Sequence, residues 1–222
     1  MFTLMYQSSG GRVPMGALCL ELQSRERFWM KGFLVKTLAA VLAVTMAVPG
    51  VAHADRWTKI RPAQCKAAFA AAQAGRAIPD PGVLRIRNNA MVGDTLKVYV
   101  STKRLSAAVD EAIRAWSEAS GGAIKIVKVK APTARAVEIR ERHSGHFGEM
   151  IWSPKPHLIV DPGKFQRMNL QDQTFIMAHE LGHAMGLAHG CSGTLMRATS
   201  GAGYSSLTPT AVDVAAVRQG RF

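Results

Sequence analysis

The chain has 222 residues, 48% of them hydrophobic, with 28 Lys+Arg against 15 Asp+Glu and a formal net charge of +13. That length and apolar content suffice for one well-packed domain and exclude a chain too polar to form a core. The positive charge favours anionic surfaces, but the basic residues are scattered and no nucleic-acid-binding motif accompanies them, so no specific nucleic-acid partner is expected.

Residues 1–29 are polar and irregular. Residues 30–54 read MKGFLVKTLAAVLAVTMAVPGVAHA: Lys31 and Lys36, an apolar run, a Pro49-Gly50 break, then Ala52-His53-Ala54. This is the layout of a secretory signal peptide with cleavage after Ala54. The run from Thr37 to Val48 is too short to span a bilayer, so no permanent membrane anchor is expected. A signal peptide does not normally follow such an extension; translation is expected to start at Met30, with residues 1–29 a mis-annotated extension, the alternative being a long n-region. The protein is expected to be secreted, extracellular and monomeric.

Cys19 lies upstream of the cleavage site, leaving Cys65 and Cys191. An even pair in an exported chain most simply forms one disulfide, which would contribute on the order of 4 kcal/mol in the chain-entropy model. Residues 55–93 are rich in Ala, Pro and basic residues, with a short helix over Cys65–Ala72; they read as an N-terminal arm or a short propeptide ahead of the main domain over 94–222. Leu96–Val100 alternates as a strand. Leu105, Val109, Ile113 and Trp116 recur at helical spacing opposite Asp110, Glu111, Arg114 and Glu118, and Gly121-Gly122 ends that helix. Strands are expected over Ala123–Lys130, Ala136–Arg140 and His157–Asp161, the last closed by Pro162-Gly163. Glu141–Pro156, with His143, His146 and Trp152, reads as a loop.

From Asn169 or Asp172 to about Gly186 the run NLQDQTFIMAHELGHAMG reads as a helix apolar on nearly every side, hence buried, so His179, Glu180 and His183 need a reason to be in it. A last helix is expected to start at Thr208-Pro209 and end near Gly220.

His179-Glu180-Leu181-Gly182-His183-Ala184-Met185-Gly186-Leu187-Ala188-His189 fits H-E-x-x-H-x-x-G-x-x-H at every specified position. Residues four apart on a helix share a face, so His179 and His183 can aim ring nitrogens at one point, and Gly186 allows the chain to turn back and deliver His189. Three neutral nitrogens leave a fourth position on one Zn2+ for water, and Glu180 beside it is the candidate general base.

The long histidine motif followed by Met196, in Gly193-Thr194-Leu195-Met196-Arg197, resembles the metzincin zinc metallopeptidases with their Met-turn. The stretch Cys191-Ser192-Gly193-Thr194-Leu195-Met196 looks like the small bacterial snapalysin-like secreted proteases, while matrixin-like enzymes share the third histidine. The resemblance spans about Leu96 to Phe222. It implies an α+β fold, a metzincin-like zincin with a small twisted mixed sheet, two main helices and a C-terminal helix, and Met196 as a hydrophobic floor beneath the ligands. It departs at His189, where snapalysin-type enzymes usually have Asp, and at Ala198, where some metzincins have Tyr.

Tyr204 is a candidate oxyanion stabiliser or a packing tyrosine. His143, His146 and His157 could hold a structural zinc, as in some matrixins, or be ordinary exposed or hydrogen-bonded histidines. Cys65 could instead place a thiolate on the metal, as matrixin propeptides do, though Arg61-Pro62-Ala63-Gln64-Cys65 lacks the fuller propeptide motif. The expected activity is hydrolysis of protein or peptide substrates; the alternatives are a noncatalytic zinc-binding module for anionic cell-envelope polymers and a cell-wall peptide amidase.

Overall fold

The computed structural model describes residues 60–198 and 206–220. The segments 1–29 and 30–54 and Tyr204 lie outside the described residues. Chain order is α1 (Pro62–Gln73), a 3-10 turn at Pro81–Leu84, β1 (Thr95–Val100), a second 3-10 turn at Lys103–Leu105, α2 (Ser106–Ala119), β2 (Lys125–Lys128), β3 (Ala136–Glu141), β4 (Gly148–Ile151), β5 (His157–Val160), α3 (Pro162–Phe165), α4 (Leu170–Ala184) and α5 (Ala211–Arg218).

The five strands form one mixed sheet in the order β2-β1-β3-β5-β4. β1 pairs in parallel with β2 and β3, β3 in parallel with β5, and β4 closes one edge antiparallel to β5. The α+β class expected from the sequence is what the chain forms. Leu96 and Val98 of β1, Val137 and Ile139 of β3, and Leu158 and Val160 of β5 supply alternate buried positions, as period-two side-chain geometry requires. Val109 and Trp116 of α2 and Phe175, Met177 and Leu181 of α4 complete the same core. The Trp116 indole Nε1 donates to the Ala178 carbonyl at 3.0 Å, fixing α2 against the middle of α4 one residue before the histidine motif.

Three expectations need correction. Residues 148–151 form a strand inside the segment read as a loop; Gly148-Glu149-Met150-Ile151 has no alternation to announce it, and its extended form comes from pairing Gly148 with Val160 and Ile151 with His157. The second strand covers only Lys125–Lys128, because it has the single neighbour β1. The last helix starts two residues later than Thr208-Pro209: its N-cap is Thr210, whose hydroxyl accepts from Asp213 N while the Asp213 carboxylate returns a bond to Thr210 N.

The N-terminal segment packs as part of the same body. Ala68, Ile78 and Leu84 are buried in the common core, and α1 lies against α5. Cys65 and Cys191 form a disulfide with Cα atoms 5.6 Å apart, bridging 126 residues, so the arrangement with a Cys65 thiolate on the metal is not adopted.

Trp116 combines full burial with the Ala178 bond. Trp116→Ala should therefore cost about 3–5 kcal/mol in urea unfolding and loosen α4; a loss below about 1 kcal/mol would contradict this account of the α2–α4 contact.

Candidate metal centre

α4 is capped by the Asn169 side chain, which accepts from Asp172 N at 2.9 Å, and every residue from Phe175 to Ala184 is buried. His179 and His183, one turn apart, stand edge to face with ring centroids 4.9 Å apart. The helix ends at Ala184, and Gly186 follows at φ +89°, where a side chain would be strained and its Cβ would lie 3.3 Å from the Asn88 carbonyl oxygen. That reversal returns His189 to 4.8 Å from the His183 ring and 5.4 Å from the His179 ring. Each of the three histidines offers one nitrogen, and these nitrogens lie within 4.8 Å of one another, a group that could hold a metal ion.

His179 Nδ1 lies 2.9 Å from the Leu195 carbonyl, and His183 Nδ1 lies 2.8 Å from the Leu187 carbonyl. A carbonyl only accepts, so the tautomer assigned from these partners has each Nδ1 donating and each Nε2 lone pair free for a cation. Burial pushes His179 down to about 4, with the nearby His189 acting in the same sense and the Leu195 bond opposing. Burial, then His179 and His189, hold His183 well below its ordinary value. Both rings are thus neutral near pH 7, the form that ligates metal.

Glu180 is 7% exposed and lies against the edge strand. A Cβ on Gly148 would come 2.8 Å from Glu180 Cγ and 3.2 Å from its Oε1, so the bare glycine backbone of β4 makes room for the carboxylate. Met196 is 1% exposed and occupies the other side of α4: a Cβ on Gly182 would meet its sulfur at 2.3 Å. The thioether therefore packs directly against α4 at Gly182, next to His183. No family model matches the chain, and a search of curated proteins returns no match.

Asp213 was not among the residues singled out from the sequence. Its buried carboxylate accepts from Leu195 N at 3.0 Å, Met196 N at 3.4 Å, Thr210 N at 2.8 Å and Thr210 Oγ1 at 2.7 Å. Burial pushes its pKa up and these donors oppose the shift. The pattern Thr210-x-x-Asp213 signals a helix cap, but nothing local shows that the same carboxylate holds the Leu195–Met196 backbone.

The remaining histidines do not converge. His143 Nδ1 is 3.5 Å from Asp161 Oδ1, His146 is exposed, and His157 Nδ1 lies 2.9 Å from the Lys155 carbonyl at the opposite end of β5. Four residue steps along β5 take the chain from His157 to Asp161, about 13 Å at strand rise, too far for a shared ion. Among the described residues His179, His183 and His189 are the only such group. Asp161 is instead a hub for the loop before β4: its pKa is lowered to about 2, chiefly by the Gly145 N–H, against burial and with help from Ser144, Gly163 and Lys164.

Two expectations follow. Asp213→Ala strands two buried N–H groups and should cost about 3 kcal/mol in urea unfolding, and it should weaken metal binding measured by titration, since Leu195 orients His179. For the metal-free protein, His179 and His183 take up protons less readily folded than unfolded. Stability should hold above the ordinary histidine value of about 6.5 and fall as pH drops towards about 4. Melting temperatures of metal-free protein between about pH 7.5 and about pH 4.5 check this; no decline would refute the buried neutral rings.

Proposed function

We propose that this chain is a secreted zinc-dependent endopeptidase of the metzincin type. The observation that carries the reading is a buried carboxylate, Glu180, one residue from the first of three convergent imidazoles. Three nitrogen donors suit zinc and leave a coordination position open, unlike a closed structural site. Bound zinc would polarise the scissile carbonyl and make an attacking water acidic near neutral pH. Glu180 accepts the water's proton and passes it to the departing amine. His179 and His183 keep their Nε2 atoms aimed inward through the Leu195 and Leu187 carbonyls, and Met196 supports the two turns of α4 that carry them.

The substrate class is argued from the sheet. β4 is an edge strand whose Gly148 touches Glu180. An extended peptide hydrogen-bonded along that edge would run its backbone past the carboxylate, which fits cleavage within a polypeptide. The signal-peptide pattern over 30–54 and the disulfide suit export to an oxidising compartment. No helix among the described residues is long and apolar enough to cross a membrane. A module that only binds zinc has no use for a carboxylate buried at Glu180.

Purified protein lacking residues 1–54 should hydrolyse casein, lose that activity to a chelator and regain it with added zinc. Glu180→Gln should retain the metal while losing about 10²–10⁴ in rate. Activity surviving Glu180→Gln would overturn the mechanism, and turnover of peptidoglycan peptides without casein cleavage would assign an amidase instead.

A further inference from the structure

His179 and His183 have a helix to hold them; His189 lies beyond it, in a segment with no helix or strand of its own. Both flanks of that segment are tied to the N-terminal arm. On the upstream side, residues 84–90 run beside residues 184–188. Ala90 N donates to the Ala184 carbonyl, Ile86 N to the Gly186 carbonyl and Ala188 N to the Leu84 carbonyl, each at 2.9 Å, around an antiparallel bridge between Arg85 and Leu187. Leu187 is also the residue whose carbonyl orients His183. On the downstream side, Cys191, two residues past His189 and 3% exposed, is bonded to Cys65 of α1. Phe69 of α1 packs beneath the same loop, its ring edge 3.3 Å from where a Cβ on Gly193 would stand. The loop closes on itself through Gly190 N to the Met196 carbonyl and Thr194 Oγ1 to the Cys191 carbonyl.

We propose that the N-terminal arm is the positioning element for the third metal ligand, and that the Cys65–Cys191 bond makes metal retention redox-dependent: reducing it frees the downstream flank of His189 and lowers metal affinity while the domain stays folded. This rests on the metal-centre part of the function above, not on its peptidase part. The reaction is a two-electron reduction. A tertiary phosphine attacks one sulfur, the S–S bond breaks, water hydrolyses the thiophosphonium to the phosphine oxide, and both cysteines end as thiols. Cys65 is only half-buried, which leaves its sulfur the approachable one. The two turns of α4 and the ladder of residues 84–90 remain, so His179 and His183 stay placed and His189 alone gains freedom.

The test is zinc affinity by competition with a chromophoric chelator, with near-UV circular dichroism in the long-wavelength tryptophan bands reporting the fold. The oxidised protein is compared with the phosphine-reduced protein, Cys65→Ser/Cys191→Ser, His189→Ala, and the triple variant. Reduction and the double serine variant should each raise the zinc dissociation constant about 10- to 100-fold with the near-UV spectrum kept. In the His189→Ala background the serine substitutions should add less than about twofold, because both lesions act through one ligand. Unchanged affinity on reduction, full additivity, or metal loss only together with loss of the near-UV spectrum would each overturn the proposal. If His189→Ala itself leaves zinc affinity unchanged, the metal-centre reading fails first.

Discussion

Two backbone carbonyls decide what the centre can be. Leu195 and Leu187 accept from the Nδ1 atoms of His179 and His183, and without those acceptors each buried ring could turn, take the other tautomer or form a hydrogen bond with its neighbour. With them, the Nε2 lone pairs face one another in a low-dielectric interior, an arrangement that repels itself until a cation arrives. Neither carbonyl is a free agent. Leu195 is placed by the carboxylate of Asp213 on α5, and Leu187 by the Gly186 reversal and its bridge to Arg85.

The surrounding fold serves that constraint from three directions. α2 presses α4 from its apolar flank, with Trp116 bonded to Ala178. β4, the antiparallel edge, brings bare backbone to Glu180. The Met196 loop fills the space below Gly182 so closely that any side chain there would displace the sulfur. Asp161 contributes at a distance. By gathering the N–H groups of Ser144 and Gly145 it fixes the approach to β4, and by capping α3 it sets the turn leading toward α4.

What could be read from the sequence was whatever is written in local spacing. The interval between His179 and His183, the glycine at 186, the apolar wrapping of α4 and the periodicity of α2 all lie within a few turns of one element, and each appears where it was expected. β4 could not be read, since four residues beginning with glycine acquire strand form only from β5. Asp213 was hidden for a related reason. Its capping role is local, but its bonds to Leu195 and Met196 cross 18 and 17 residues. For His143, His146 and His157 two readings stood side by side, and it is the ordinary one that the chain adopts: His143 and His146 are exposed and His157 bonds the Lys155 carbonyl.

The bond from Cys65 to Cys191 and the grip of Asp213 on Leu195 join the beginning of the domain, its middle and its last helix around one loop. Such long-range closures carry the largest loop-closure cost and are slow to form. A ribosome-bound chain that has emerged as far as His189 has all three histidines, yet it lacks both the cysteine partner and the α5 carboxylate that set the loop. The loop that carries His189 and Leu195 thus takes its final form only after the last helix has been made and has docked, so the centre is assembled from the whole length of the domain and not from the histidine motif alone.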